Sequence, residues 1–218
     1  MDRHHRTSTT CRPWIALFLL SLAMHVIGKD APAEGGKAML GVSFTKIAHN
    51  GSVLPDGAAL GNGPTDWACT RHNASGLIFE VKVNSPGTLR HAANTYTWRN
   101  TDAGSNGGNA GTASGGACSG STCDTQSYVA AVNAAGLCGS NTWRLPTHAE
   151  LQRIVGFAEP GSGAPVVDAA FFPNLVAGLY WARANVAAIP THAWAVGLDD
   201  GNAGPRAKSQ PYRVVLVR

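Results

Sequence analysis

Apolar residues are spread unevenly along the chain, and the longest run of them, Trp14 to Ile27, holds no charge. It follows Arg3, Arg6 and Arg12 and precedes small residues. That order is the layout of a cleavable secretion signal, and a run of about 14 residues falls short of the roughly 20 that cross a bilayer as a helix. Residues 1–28 are therefore predicted to be a signal peptide, and no membrane span is expected once it is cleaved. Residues 29–38 are small and polar and read as a linker, followed by one domain over 39–218.

Within the domain the period changes from two to that of a helix and back. Leu40, Val42, Phe44 and Thr45 hint at a strand within 39–49, and residues 77–83 (LIFEVKV) alternate around Glu80 and Lys82. Asp124 or Thr125 can cap a helix whose stripe is Tyr128, Val129, Val132 and Ala135 before Gly136 stops it. Thr147 and Glu150 form a capping box (T-H-A-E) ahead of Leu151, Ile154 and Val155, which predicts a second helix. Residues 179–183, 192–198 and 212–217 read as strands, with Asp199, Asp200 and Gly201 as the turn after the middle one. Between Trp98 and Cys123 lies a long stretch of Gly, Ser, Asn, Ala and Thr. It has too little apolar surface to offset its ordering entropy, so residues 99–122 are expected to be a flexible loop unless the cysteines or a ligand tie them down. Strands, loop, two helices and strands again make an α+β class, with the helices packed on a small, mostly antiparallel sheet.

Charge narrows the function classes. The 218-residue chain carries a net charge of +4, and removing residues 1–28, with three arginines and Asp2, leaves about +2. No basic run argues for nucleic acid. Of five cysteines, Cys11 leaves with the signal, and an even set bound for an oxidising compartment reads as two disulfides. Zinc is the competitor, but the spacings are irregular. Four cysteines allow three pairings, and sequence alone does not choose among them. The residues between Cys118 and Cys123 are flexible enough to bring two Cα atoms within about 5.5 Å, so that pair is predicted, leaving Cys69 for Cys138.

Several segments carry a family resemblance: WACTRHNASGLIFEVK (67–82), YTW (96–98), YVAAVNAAGLCGSNTWRLPTHAEL (128–151), FFPN (171–174), YWA (180–182), AWAVGLDDG (193–201) and YRVVLVR (212–218). Together they resemble the Lcl C-terminal domain family, with W-R-L-P-T-x-x-E-L after L-C-G as the most specific block. The resemblance implies an α+β domain similar to C-type lectins and sulfatase-modifying-factor domains, on secreted or surface-attached bacterial proteins, and in the name-giving adhesin a binder of sulfated glycans. This chain lacks the adhesin's collagen repeats, and Ala182 and Arg183 stand where the family usually shows serines.

Read for chemistry, the histidines His49, His72, His91, His148 and His192 show no metal or catalytic spacing, and no nucleophile elbow or phosphate loop is present. Asp199, Asp200 and Asn202 read as a β-turn ahead of a calcium loop, and Phe172, Pro173 and Asn174 lack the acid of a lectin calcium motif. Trp143 and Leu145 read as core, and Arg144 as the partner of an acid or carbonyl. Trp67, Trp98, Trp181 and Trp194 also read first as core, with a fair expectation that one is open. The resulting expectation is a secreted, non-enzymatic binding domain without metal or cofactor. Its expected ligand is a glycan or sulfated polysaccharide, with Arg183, Arg206, Lys208, Arg213, Trp181 and Trp194 as binding residues. The alternative is an assembly domain contacting an envelope protein.

Overall fold

The computed structural model describes residues 42–156 and 164–218, so the expected signal peptide, the linker and residues 39–41 lie outside the described residues. Strands β1 (Phe44–Ala48), β2 (Trp67–His72) and β3 (Ile78–Glu80) form one antiparallel sheet in that order, with Cys69 opposite both Ile47 and Glu80. β1 and β3 lie inside the predicted stretches. β2 went unread because nearly every one of its residues is buried, which erases the polar–apolar alternation of a half-exposed strand.

Strands β4 (Leu179–Val186), β5 (Ile189–Gly197) and β6 (Ala203–Ala207) make a second antiparallel sheet. The single sheet expected from the sequence is thus two. β6 (AGPRA) contains Gly and Pro, which an edge strand tolerates because its outer N–H positions need no partner. Gly201, at φ 72, closes the turn before it, and Asp200 accepts from the Asn202 amide at 2.9 Å, so the turn reading of this acidic pair holds.

The C-terminal segment joins the two sheets. Tyr212 bridges Tyr96, Arg213 bridges Tyr180, and Val217 bridges both Phe79 and Arg144. Expected as a strand, it changes neighbours every few residues and so forms no continuous ladder. Its side chains alternate between two cores. Val214 and Leu216 join Tyr96, Trp98, Tyr128, Trp143 and Trp181, whereas Val215 and Val217 join Phe44, Phe79, Phe172, Tyr180 and Val196.

Helix α1 (Thr125–Ala134) starts at Asp124, whose carboxylate accepts from the Ser127 amide at 2.9 Å, and buries Tyr128 and Val132. A 3-10 turn, Leu137–Gly139, follows and carries Cys138 to its partner. The disulfides are Cys69–Cys138 and Cys118–Cys123, as the spacing predicted. Helix α2 (His148–Gln152) has both halves of its capping box and packs on β4 and β5. It is a single short turn and a half, because the chain leaves the helical path after Arg153. Among the described residues no helix is long and apolar enough to cross a membrane.

Residues 99–122 form no helix or strand, yet they are fastened along their length. The Lys208 ammonium, 2 % exposed, donates to the Asn106 and Asn109 carbonyls at 2.9 and 2.7 Å and lies 4.2 Å from the Trp98 ring centroid. Asn100, Asp102, Asn106 and Asn109 each accept from a backbone amide two residues on, replacing a ladder with local turns. Gly111, at φ 80, lies where a Cβ would collide with the Trp98 carbonyl. A composition scan misses these ties because it counts Asn and Asp as solvated loop residues, whereas here their side chains close local turns, and Lys208 meets backbone carbonyls, which every residue has. Replacing Lys208 with methionine is expected to remove about 2 kcal/mol of stability and to speed amide exchange over 106–112, with α1 unaffected, in a hydrogen-exchange comparison.

Candidate functional site

Of the described tryptophans, Trp67, Trp98, Trp143 and Trp181 are buried, and Trp194 alone is half-exposed. Trp194 sits on β5 and stacks on the His148 ring, with centroids 5.4 Å apart and planes 34° from parallel. His148 is the first residue of α2, and its place is set by the capping box. The Thr147 amide donates to Glu150 at 2.8 Å and the Glu150 amide returns to the Thr147 hydroxyl at 3.1 Å. Arg144 grips the same carboxylate with two nitrogens, each at 2.8 Å. The most specific sequence block thus fixes the turn that carries His148 against Trp194.

That grip has a measurable signature. Hydrogen bonding to Arg144 is the main reason that the Glu150 carboxyl falls to about 2 from 4.5. A carboxyl whose folded value lies below its unfolded one stabilises the fold above the unfolded value, and the contribution fades as pH falls through the folded one. Discounted for solvent around this partly exposed pair, Glu150→Gln is expected to cost about 1 to 2 kcal/mol near pH 7. Urea titrations should show the gap to wild type closing between pH 4.5 and about 2.

Arg183 is tied to the same segment through its backbone. It is exposed on β4, and its amide donates to the Pro146 carbonyl at 2.7 Å, which draws the irregular part of β4 against the segment leading into His148. The exposed Arg183 is thus linked through Pro146 to the segment that carries His148 against Trp194. The other residues expected to bind are placed differently. Trp181 is fully buried and donates to the Tyr96 carbonyl at 2.7 Å, and Lys208 holds the glycine-rich segment, so burial removes both from contact with a polymer. Arg206 pairs with Ala193, one position from Trp194, and so leaves the opposite face of the sheet. Arg213 is half-buried, with one nitrogen 3.4 Å from the Ala177 carbonyl, two residues ahead of β4. His148 was passed over in the sequence because a lone histidine at a helix start gives no spacing signal. The capping box from Thr147 to Glu150 was the available clue.

A second polar cluster is buried where the end of β3, α1 and the C-terminal segment meet. The Tyr128 hydroxyl donates to one Glu80 oxygen at 2.6 Å, while the Lys82 ammonium, 2.6 Å away, and the Leu216 amide, at 3.1 Å, meet the other. Burial pushes the Tyr128 hydroxyl well above its ordinary value and pulls the Lys82 ammonium down. Asn174, from the F-F-P-N segment, donates to the Lys82 carbonyl at 2.8 Å and has a structural role. Among the described residues no group of three His, Cys, Asp or Glu could hold a metal ion, and all four cysteines are paired.

No curated protein and no solved structure matches the chain. The Lcl C-terminal domain family matches residues 68–218, a span that takes in both sheets from β2 onward, both disulfides and the Trp194 surface. With most of its length covered by that match, the chain belongs to the Lcl C-terminal domain family.

Proposed function

We propose that this is a secreted or surface-attached, non-enzymatic binding domain whose ligand is a glycan or other anionic extracellular polymer, met by the Trp194 surface with Arg183. The observation that carries the reading is the half-open Trp194 ring, stacked on His148, with the exposed Arg183 tied by its backbone to the segment that carries His148. A planar aromatic face takes the apolar side of a sugar ring, and a guanidinium pairs two oxygens of a sulfate or carboxylate. Family membership, which suggests a surface-associated, adhesin-like domain, supports it. So do two disulfides, which fit an oxidising compartment. The likeness to C-type lectins implied by the sequence belongs to the same reading. Four paired cysteines leave no thiol among the described residues for chemistry of the sulfatase-modifying kind. A heparin column and a glycan array, each run at low and moderate salt, test the proposal. Retention of sulfated or uronate-containing chains that weakens with salt is expected, and no retention at low salt would remove it.

A further inference from the structure

Away from the Trp194 surface, a cleft of about 240 Å3 opens beside the end of α1, lined by His49, Leu89, Arg90, Val132, Ala135 and Leu137. Its floor holds an unbalanced charge. Arg90 is 8 % exposed, its Nη1 donates to the Ala68 carbonyl at 3.1 Å, and its Nη2 is buried with no hydrogen-bond partner among the described residues. The nearest buried acid, Glu80, is already engaged by Lys82, Tyr128 and the Leu216 amide. Asp66, on the loop beyond β1, is held by the Gly63 amide at 2.7 Å. A buried cation without a paired anion is costly, and a guanidinium matches a carboxylate in shape. Burial and then the Arg90 charge also hold His49 below its ordinary value, so the positive field reaches the cleft.

The rest of the wall is mixed, with Asn62 and Thr88 polar and Val83, Leu89, Val132 and Leu137 aliphatic. Leu89 precedes Arg90, and Val132 and Leu137 come from α1 and the turn after it, while the exposed Ala135 stands at the mouth. At about 30 Å3 per water-sized volume, the cleft has room for a carboxylate with an alkyl chain of about three or four carbons.

We propose that this cleft binds a small monocarboxylate, its oxygens on Arg90 and its alkyl chain against Leu89, Val132 and Leu137. The assignment is independent of polymer binding at Trp194.

Butyrate is the probe, titrated into the isotope-labelled protein and followed by NMR. Saturable shifts confined to Leu89, Val132, Ala135 and Leu137 are expected at millimolar concentrations, with butylammonium producing none. Ala135→Phe places a ring at the mouth without touching Arg90 and should weaken binding by at least about tenfold. Arg90→Met should abolish it, and if that variant does not fold, Ala135→Phe still decides. Equal binding of butylammonium, sulfate displacing butyrate as well as butyrate itself does, or unchanged affinity in Ala135→Phe would each overturn the assignment. So would the lack of any saturable shift up to about 50 mM.

Discussion

Replacing Cys69 or Cys138 with alanine is expected to lower the stability of the domain by about 4 kcal/mol, whereas replacing Cys118 or Cys123 should cost about 2. The difference follows from the sequence separation of the partners, 69 for the first bond and 5 for the second. A long closed loop removes more conformations from the unfolded chain than a short one. Location adds to length. Cys69 and Cys138 are both buried, and their bond ties β2 to the turn after α1 within the Trp98 and Trp181 core. Cys138 also sits at φ 52, a left-handed backbone that a non-glycine residue keeps only when its surroundings hold it. Urea denaturation of the four alanine variants measures this ordering. Equal losses for the two bonds would contradict it.

Glu80→Gln is expected to destabilise by about 3 to 5 kcal/mol, the loss typical of stranding one partner of a buried ion pair. The variant leaves the Lys82 ammonium, 3 % exposed, without its counter-charge, and weakens what the Tyr128 hydroxyl and Leu216 amide donate to. Removing both charges is a different matter, since a well-packed apolar pair can replace a buried ion pair at little net cost. Glu80→Leu with Lys82→Met should therefore be more stable than Glu80→Gln alone. A double-mutant cycle measured by urea denaturation separates the two effects. Strictly additive losses would show that the pair is not coupled.

Much of the fold was legible where a local signal coincided with burial. Asp124 and Thr147 cap the two helices, as their side-chain chemistry predicts, and the Cys118–Cys123 spacing gave the pairing. Legibility failed where tertiary context overrode local pattern. β2 is buried too fully to alternate, β6 contains glycine and proline, and the C-terminal segment divides its hydrogen bonds among four neighbours. The candidate site was half legible for the same reason. Arg183 and Trp194 could be named from residue type, but type could not show that Trp181 and Lys208 face inward or that Arg206 leaves the far side of the sheet. Nor could it bring His148, 46 residues earlier in the chain than Trp194, onto the same ring.

The binding proposed above needs both Trp194 and Arg183. The most direct measurement compares heparin affinity for the wild type, Trp194→Leu, Arg183→Ala and Arg206→Ala, with each variant's thermal transition recorded alongside. Arg183→Ala is expected to weaken binding about tenfold and flatten its salt dependence, Trp194→Leu to weaken binding at all salt concentrations, and Arg206→Ala to change little. Undiminished affinity in folded Trp194→Leu and Arg183→Ala, or a loss confined to Arg206→Ala, would contradict it.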